Sequence, residues 1–248
     1  MADLLISNKI KIKSKINGEY SVDFIDNLKV SLEKEIRKNN CVIIIDEKVL
    51  SFFKKEIPAH INNKIITIKC SEKNKTIDYA QVVIRKLVEI NFRKNNDLIA
   101  IGGGITQDIV AFISSILYRG VNWKFYPTTL LAQCDSCIGS KSSINFDQYK
   151  NLLGTFNPPS EIFIYNSFLG TLSDSEIKSG IGEMLHYFFT DGIDIALKLS
   201  NQYDKLISNR ENLLFFIKNS LKIKKQIIEI DEFDLSIRHI FNYGHTFG

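Results

Sequence analysis

The sequence has 248 residues, of which 44% are hydrophobic and 24% charged, and its formal net charge is +4. A chain of this size and hydrophobicity can bury a substantial core, which excludes a disordered protein, and its 13 glycines and 4 prolines exclude a collagen-like one. The 32 basic residues are interleaved with 28 acidic ones. This spread argues against a nucleic-acid-binding face, so we expect no nucleic-acid partner.

Targeting signals give a similar set of exclusions. The N-terminus lacks a basic stretch followed by a long apolar run, so we expect no signal peptide. No segment reaches the roughly 20 apolar residues that span a bilayer, and we expect no membrane partner. The four cysteines are unevenly spaced, which is typical of reduced thiols and predicts a cytoplasmic protein.

The first part of the chain alternates between strand and helix patterns. Helical spacing of apolar residues predicts helices at 22–38, 76–94 and 105–120. Alternating or β-branched runs predict strands at 9–16, 41–46, 64–70, 97–104, 122–129 and 161–166. Because strands that alternate with helices form parallel sheets, we expect an α/β domain with helices on both faces of its sheet.

After residue 172 the strand patterns end. Helical patterns are predicted at 173–190, 192–207, 210–233 and 236–248. This change predicts two domains, an α/β domain at 1–172 and an all-α domain at 173–248.

A glycine run marks a candidate phosphate site. Gly102, Gly103 and Gly104 follow a predicted strand and begin a helix, where backbone N–H groups can approach an anion closely. Gln107 stands where a full dinucleotide-binding motif would have its third glycine, so a tight strand-to-helix turn without a ligand is an open alternative. Asp46 ends an early buried strand, where an acid can accept hydrogen bonds from ribose hydroxyls.

Longer motifs make a resemblance specific. Read in order, the sequence resembles the 3-dehydroquinate synthase family of sugar-phosphate cyclases, over essentially the whole chain. The motifs are GGGITQD (102–108), YRG (118–120), PTTLLAQCDSCIGSK (127–141), KNLLGTF (150–156), TLSDSEIKSGIGEM (171–184) and RHIFNYGHTFG (238–248).

The resemblance implies a Rossmann-like NAD-binding α/β domain followed by a helical domain that binds a divalent metal, either zinc or cobalt. One departure from the family pattern is Lys48, which stands where an asparagine is common and puts NAD contact there in question. The positions implied to bind NAD are Asp46, Glu72, Lys75, Gly103, Gly104, Asp108, Thr128, Thr129, Asp135, Lys150 and Thr171.

The metal site is implied at Glu183 and His245, a carboxylate and an imidazole that suit an open zinc site. A second departure lies one helical turn after Glu183. His186 replaces the usual lysine, so it is predicted to act in proton transfer or as a metal ligand. Because this replacement removes a permanent positive charge, a substrate different from that of ordinary family members is an open alternative.

The substrate residues implied by the resemblance are Arg119, Lys141, Asn151, Lys224, Arg238 and Asn242. Lys141 and Asn151 would bind a phosphate. The resemblance also implies a homodimer, in which Arg119 of each subunit would reach into the neighbouring subunit's site and bind the phosphate there. Lys224 and Arg238 would bind the carboxylate of a phosphorylated seven-carbon keto acid.

The implied reaction is a phosphate-eliminating ring closure that gives 3-dehydroquinate or a close analogue. NAD oxidises one substrate hydroxyl, phosphate leaves by elimination, the ketone is reduced again, and the opened ring closes as a carbocycle. Two other classes stay open: a metal-dependent polyol or alcohol dehydrogenase of the same architecture, and a non-catalytic NAD-binding relative.

The helical domain is expected to be incomplete. The family motif continues after the position of Gly248 with a histidine, and a further histidine and a lysine follow later. The chain is therefore expected to be either a fragment or a truncated, inactive relative. Cys134 and Cys137 form a lone C-x-x-C pair, which we interpret as flanking Asp135 and not as a metal or redox site.

Overall fold

The fold is built around one mixed sheet. The computed structural model describes residues 8–191 and 193–242. The sheet has seven strands in the order β1-β2-β9-β6-β5-β3-β4, in which β1 is antiparallel to β2 and the other neighbours are parallel. These strands are β1 Lys9–Ser14, β2 Gly18–Ile25, β3 Cys41–Asp46, β4 Ile65–Ile68, β5 Asp97–Gly102, β6 Trp123–Pro127 and β9 Glu161–Tyr165.

The central strands are buried on both sides, as their continuous apolar runs predict. In β3 every residue from Cys41 to Ile45 is buried, and the whole of β5 is buried. One apolar cluster contains Ile44 and Ala100, and a second contains Ile43 and Ile99. Because successive side chains of a strand point to opposite faces, these clusters are the two layers that cover the sheet.

Helices separate the parallel strands and then follow the sheet. They are α1 Leu28–Lys38, α2 Glu47–Phe53, α3 Ile77–Glu89, α4 Gly104–Ile116, α5 Asp174–Asp191, α6 Ile193–Asn201, α7 Tyr203–Ser208 and α8 Leu213–Ile230. Their N-termini follow local capping rules. The side chains of Asn27 and Thr76 accept hydrogen bonds from Val30 N and Tyr79 N at the starts of α1 and α3. None of the described helices is long and apolar enough to cross a membrane.

The predicted helix at 22–38 was wrong in its first turn and a half. Residues Gly18–Ile25 form β2, paired with β1 and β9, and α1 begins after the Asn27 cap. Phe24, which we had placed on the helix, lies in the strand. The alternation in Tyr20–Ile25 was masked by helical spacing further on, and the strand is set by pairing with residues distant in sequence.

The sequence also failed to predict a β-hairpin formed by β7 Lys141–Phe146 and β8 Tyr149–Phe156. Most of β8 is exposed, so its residues lack the apolar alternation of a half-buried strand. The predicted last helix, 236–248, is described only to Asn242, where a 3-10 helix spans Ile237–Asn242.

Candidate active site

In the turn between β5 and α4, the first two glycines pack too closely against neighbouring side chains to leave room for a side chain of their own. A Cβ atom on Gly102 would lie 2.0 Å from Oγ1 of Thr106, and one on Gly103 would lie 2.9 Å from Cγ2 of Thr129. A Cβ atom on Gly104 would meet no atom within 4 Å. The first two glycines are therefore required by close packing, and the third opens space at the start of a helix, where backbone N–H groups attract anions.

A cavity of about 660 Å³ lies over this turn. Its walls come from the carboxyl ends of β3, β5 and β6 and from the chain that follows β4 and β9. The chain leaves β3 toward β4 on one side and leaves β5 toward β6 on the other, which makes this edge a switch point where α/β sheets bind ligands. The lining includes Asp46, Gly103, Gly104, Thr128, Thr129 and Thr171, six of the predicted NAD-binding residues.

Asp46 has a local structural role in this cavity as well. It is the N-cap of α2, and its Oδ1 accepts a hydrogen bond of 2.8 Å from Lys48 N. Lys48, at the position that departs from the family pattern, also lines the cavity. Cys70 lines it too, and burial raises the pKa of its thiol to about 12, so the group is a neutral thiol.

A smaller cavity of about 170 Å³ adjoins the first, and the two share Gly104. Charged side chains from four separate segments of the sequence meet here. Its lining residues include Asp108, Asp135, Lys141, Lys224 and Arg238. The structure thus brings predicted NAD-binding residues and predicted substrate-binding residues into one polar space.

Asp135 and Lys224 form a buried ion pair at the edge of this cavity. Lys224 Nζ lies 2.6 Å from Asp135 Oδ1 and 2.8 Å from the Asp135 carbonyl oxygen. The Lys224 side chain is 6% exposed and that of Asp135 is 18% exposed. Asp135 lies in a π-helical turn, Ala132–Ser136, a distortion often found at functional sites. The hydroxyl of Tyr187, a residue that the sequence did not single out, donates to the same Oδ1.

The other two cations are held by the segment after α8. Lys141 forms an ion pair with Asp234, and Arg238 Nη1 donates to the Glu232 carbonyl at 2.7 Å. Arg238 Nη2 lies 3.3 Å from the place of a Cβ on Gly139, whose φ of +114° favours glycine. The two cations thus line the cavity from the start of β7 and from the 3-10 helix after α8, which lie far apart in the sequence.

Asp108 is the second carboxylate of the smaller cavity, and Lys75 is its partner. Lys75 Nζ lies 2.6 Å from Asp108 Oδ2 and donates to Asn151 Oδ1 at 2.7 Å. Burial raises the pKa of Asp108, although Lys75 and two bonds from Ser143 oppose that rise. Lys75 therefore joins Asp108, a second predicted NAD-binding residue, to the predicted phosphate-binding residue Asn151.

Asn145 links the hairpin to the segment before α3. Its amide donates to Glu72 Oε1 at 2.8 Å, and its Oδ1 accepts from Asn151 N at 2.8 Å. Asn151 has a φ of 56°, a left-handed conformation that asparagine tolerates. Lys150, also predicted to bind NAD, is exposed on β8. In the described part of the chain it lines neither of the two cavities.

The implied metal site is only partly covered by the described residues. Glu183 and His186 are half-buried on α5, one helical turn apart. His245 and the side chain of Asn242 lie outside the described residues. Within 8–191 and 193–242, no group of three or more His, Cys, Asp and Glu side chains is arranged to hold a metal ion. The metal ligands stay a prediction.

Arg119 lies away from both cavities. It is exposed in a turn after the C-terminus of α4, whereas the cavities lie at the N-terminus of that helix. Tyr118, Arg119 and Gly120 all have positive φ, at 51°, 64° and 113°. This position is compatible with a contact to another subunit and leaves no role for Arg119 in the cavities of its own chain.

Cys134 and Cys137 are buried, and they do not form a disulfide with each other. Burial raises the pKa of Cys137 to about 12 and that of Cys134 well above its ordinary value. Their Sγ atoms donate to backbone carbonyls of Gly180 and Gln133. Both behave as core thiols.

Gln107 has a role that its sequence position did not indicate. Its Nε2 donates to the Ser136 carbonyl at 2.6 Å, and Ser136 Oγ donates to Gln107 Oε1 at 2.7 Å. A residue at the place of the third glycine therefore joins α4 to the π-helical turn. The sequence feature that could have predicted this role is a polar residue one helical turn after the glycine run.

Family models and relatives agree with this architecture. The model described as 3-dehydroquinate synthase N-terminal matches residues 65–179, and the model described as 3-dehydroquinate synthase C-terminal matches residues 180–248. A 3-dehydroquinate synthase of Clostridium tetani is 35% identical over 245 residues, which cover 97% of this chain and 64% of that protein. The chain therefore spans somewhat less than two thirds of that relative's length.

Two solved structures share the fold. ValA, a 2-epi-5-epi-valiolone synthase from Streptomyces hygroscopicus subsp. jinggangensis 5008 with NAD⁺ and Zn²⁺ bound, has a TM-score of 0.84 at 23% identity and covers 92% of this chain and 66% of its own. A 2-deoxy-scyllo-inosose synthase complexed with carbaglucose-6-phosphate, NAD⁺ and Co²⁺ has a TM-score of 0.80 at 22% identity and covers 96% of this chain and 67% of its own. These two structures share the fold of this chain, and the two family models together with the relative show that the chain belongs to the 3-dehydroquinate synthase family.

Proposed function

We propose that the protein is a phosphate-eliminating cyclase that converts a phosphorylated seven-carbon keto acid into 3-dehydroquinate or a close analogue. One observation carries the proposal: a glycine-lined cavity at the sheet edge adjoins a smaller cavity lined by Lys141, Lys224 and Arg238, and the two meet at Gly104. A dinucleotide in the first would place its reactive end beside an anionic substrate in the second.

The larger cavity suits NAD. Its volume of about 660 Å³ lies within the usual range of about 300–1,000 Å³ for ligand sites. Gly103 and Gly104 would hold the pyrophosphate at the N-terminus of α4, and Asp46 would accept hydrogen bonds from ribose hydroxyls. NAD⁺ is bound by both solved cyclases named above.

The smaller cavity suits a substrate with two anionic groups. The charged side chains that line it are three cations, Lys141, Lys224 and Arg238, and two carboxylates, Asp108 and Asp135, which leaves one excess positive charge. Lys141, supported by Asn151, would bind the phosphate, and Lys224 with Arg238 would bind the carboxylate. A simple alcohol would need neither pair of groups, so the cations favour the cyclase over a polyol dehydrogenase.

Glu183 and His245 would hold a divalent metal, and the donor set of a carboxylate and an imidazole fits zinc, with cobalt as the second candidate. When bound, NAD supplies reversible removal of a hydride from a substrate carbon, and the metal polarises the oxygen at that carbon. The chain's own residues bind the phosphate and carboxylate, orient the ring and keep opposite charges close to the departing phosphate.

Arg119 supports a homodimer within this proposal. Arg119 is an exposed arginine in a turn with three successive positive φ values and lines neither cavity of its own chain, so in a homodimer it would reach the phosphate site of the second subunit. The uneven spacing of the four cysteines supports a cytoplasmic location.

The test is phosphate release from the seven-carbon keto-acid phosphate in the presence of NAD and Zn²⁺. Lys224→Ala and Arg238→Ala are expected to lower kcat/KM by about 10²–10³, because each removes a charge from the carboxylate site. Lys225→Ala is the matched control, since Lys225 pairs with Glu229 at the surface of α8. Full activity in both variants would refute the carboxylate assignment.

A further inference from the structure

Tyr187 reaches the polar cavity from α5 and contacts a residue of the site without lining the cavity itself. Its hydroxyl donates to Asp135 Oδ1, the same atom that accepts from Lys224. We propose that Tyr187 is a positioning residue for Asp135, which it holds so that the carboxylate accepts a hydrogen bond from a hydroxyl of the bound substrate. The proposal rests on the function proposed above.

The backbone around Asp135 is held without help from Tyr187. Gln107 and Ser136 exchange two hydrogen bonds on one side of the π-helical turn. On the other side, Ser220 Oγ donates to the Cys134 carbonyl at 2.9 Å. Since these bonds fix the turn, the orientation of the Asp135 carboxylate is set by its side-chain donors, and Tyr187 shares Oδ1 with Lys224.

The ring of Tyr187 is itself rigid. The residue is 2% exposed, and its ring packs edge-on against Phe241 with centroids 4.5 Å apart. A phenylalanine would keep this packing and lose only the hydroxyl. The hydroxyl therefore has one position from which to donate, and a Tyr187→Phe variant isolates its contribution.

The electrostatics favour a hydroxyl at this place over a second cation. Lys224 already neutralises Asp135. Burial first, and the Asp135 charge second, raise the pKa of Tyr187 far above its ordinary range, so the phenol stays protonated and donates at every pH of interest. A neutral donor at Oδ1 orients the carboxylate without adding a second positive charge beside Lys224.

The experiment compares Tyr187→Phe with a matched variant, Tyr126→Phe. Tyr126 is fully buried and its hydroxyl hydrogen-bonds Ser31 at 2.9 Å, on the face of the sheet covered by α1. A hydrogen bond to a charged group contributes about 1.5–3 kcal/mol. We expect Tyr187→Phe to lower kcat by about tenfold to a hundredfold, with KM nearly unchanged, and Tyr126→Phe to change neither constant.

A double variant tests whether Tyr187 acts through Asp135. In an Asp135→Asn background the Tyr187→Phe change should lower kcat by less than about twofold, because residues that share one interaction are non-additive. An unchanged kcat in Tyr187→Phe, an equal loss in Tyr126→Phe, or full additivity with Asp135→Asn would each overturn the proposal.

Crystal structures of the two single variants give a readout that needs no turnover. The Asp135 carboxylate is expected to rotate in Tyr187→Phe and to keep its place in Tyr126→Phe. If the wild-type protein releases no phosphate, the function proposed above fails, and these structures still decide the positioning role. An Asp135 side chain unmoved in Tyr187→Phe would contradict it.

Discussion

The two adjoining cavities are constructed in different ways. The larger one is shaped by backbone: glycines at the β5–α4 turn and strand ends that meet at one edge of the sheet. The smaller one is shaped by charged side chains that pair with one another, such as Lys224 with Asp135 and Lys141 with Asp234. Substitutions should therefore act sterically in the first cavity and electrostatically in the second.

The largest effect on stability is expected at the buried ion pair. Lys224→Met removes the cation from Asp135 Oδ1, which then still accepts from the hydroxyl of Tyr187. Removing one partner of a buried pair costs about 3–5 kcal/mol, so the free energy of unfolding measured by urea denaturation should fall by an amount of that order. Lys225→Met removes a surface pair and should change it by less than about 1 kcal/mol. Equal losses of unfolding free energy in the two variants would contradict the account that paired charges stabilise the smaller cavity.

A smaller but more specific effect is expected in the larger cavity. Gly104→Val adds a side chain where a Cβ has open space, so the fold should tolerate it while the cavity is partly filled. Overpacking typically costs about 1–3 kcal/mol, so the dissociation constant for NADH, followed by its fluorescence, should rise by about tenfold to a hundredfold.

Gly182→Val is the control for this change. Gly182 is exposed on α5, and a Cβ there also meets no atom within 4 Å. If Gly104→Val binds NADH as tightly as Gly182→Val, the larger cavity is not the dinucleotide site.

The smallest expected effect depends on pH. Asp231 accepts hydrogen bonds from the backbone N–H groups of Leu235, Ser236 and Arg238, which lower the pKa of its carboxyl. A lowered folded-state pKa contributes stability above the unfolded value of about 3.9 and loses it as the pH falls. Asp231→Asn should therefore lower the Tm at neutral pH.

The lowered pKa of Asp231 also predicts how the Tm difference between wild type and Asp231→Asn depends on pH. The gap in Tm between wild type and variant should narrow as the pH falls below about 4, because the Asp231 carboxyl of the unfolded wild-type chain takes up a proton there while that of the folded protein is still ionised. A gap that stays constant down to the lowest pH at which the protein folds would show that the carboxylate charge is not what holds this loop.

Local patterns explain what the sequence could predict. β3 was predicted with its observed bounds, because a run of buried β-branched residues followed by an acid needs no distant information. The glycine turn was predicted for the same reason. The β7–β8 hairpin was missed because β8 is mostly exposed and shows no apolar alternation.

Local sequence patterns could not predict which side chains of the site contact one another. The motifs placed Asp135 and Lys224 as ligand-binding residues, but their contact joins positions far apart in the chain. Tyr187 looked like an ordinary apolar position of α5, and only the packing of α5 against the π-helical turn reveals its hydroxyl as a donor to Asp135. Side-chain networks of this kind depend on tertiary geometry, which spacing along one helix does not encode.

The central claim is that dinucleotide and phosphorylated acid react in the two joined cavities without net oxidation. The direct test adds the seven-carbon keto-acid phosphate to the protein with NAD and Zn²⁺ and follows free phosphate and NADH absorbance in the same cuvette. The account predicts steady phosphate release with no accumulation of NADH. NADH that accumulates in step with consumption of an alcohol, with no phosphate released, would contradict it and identify a dehydrogenase.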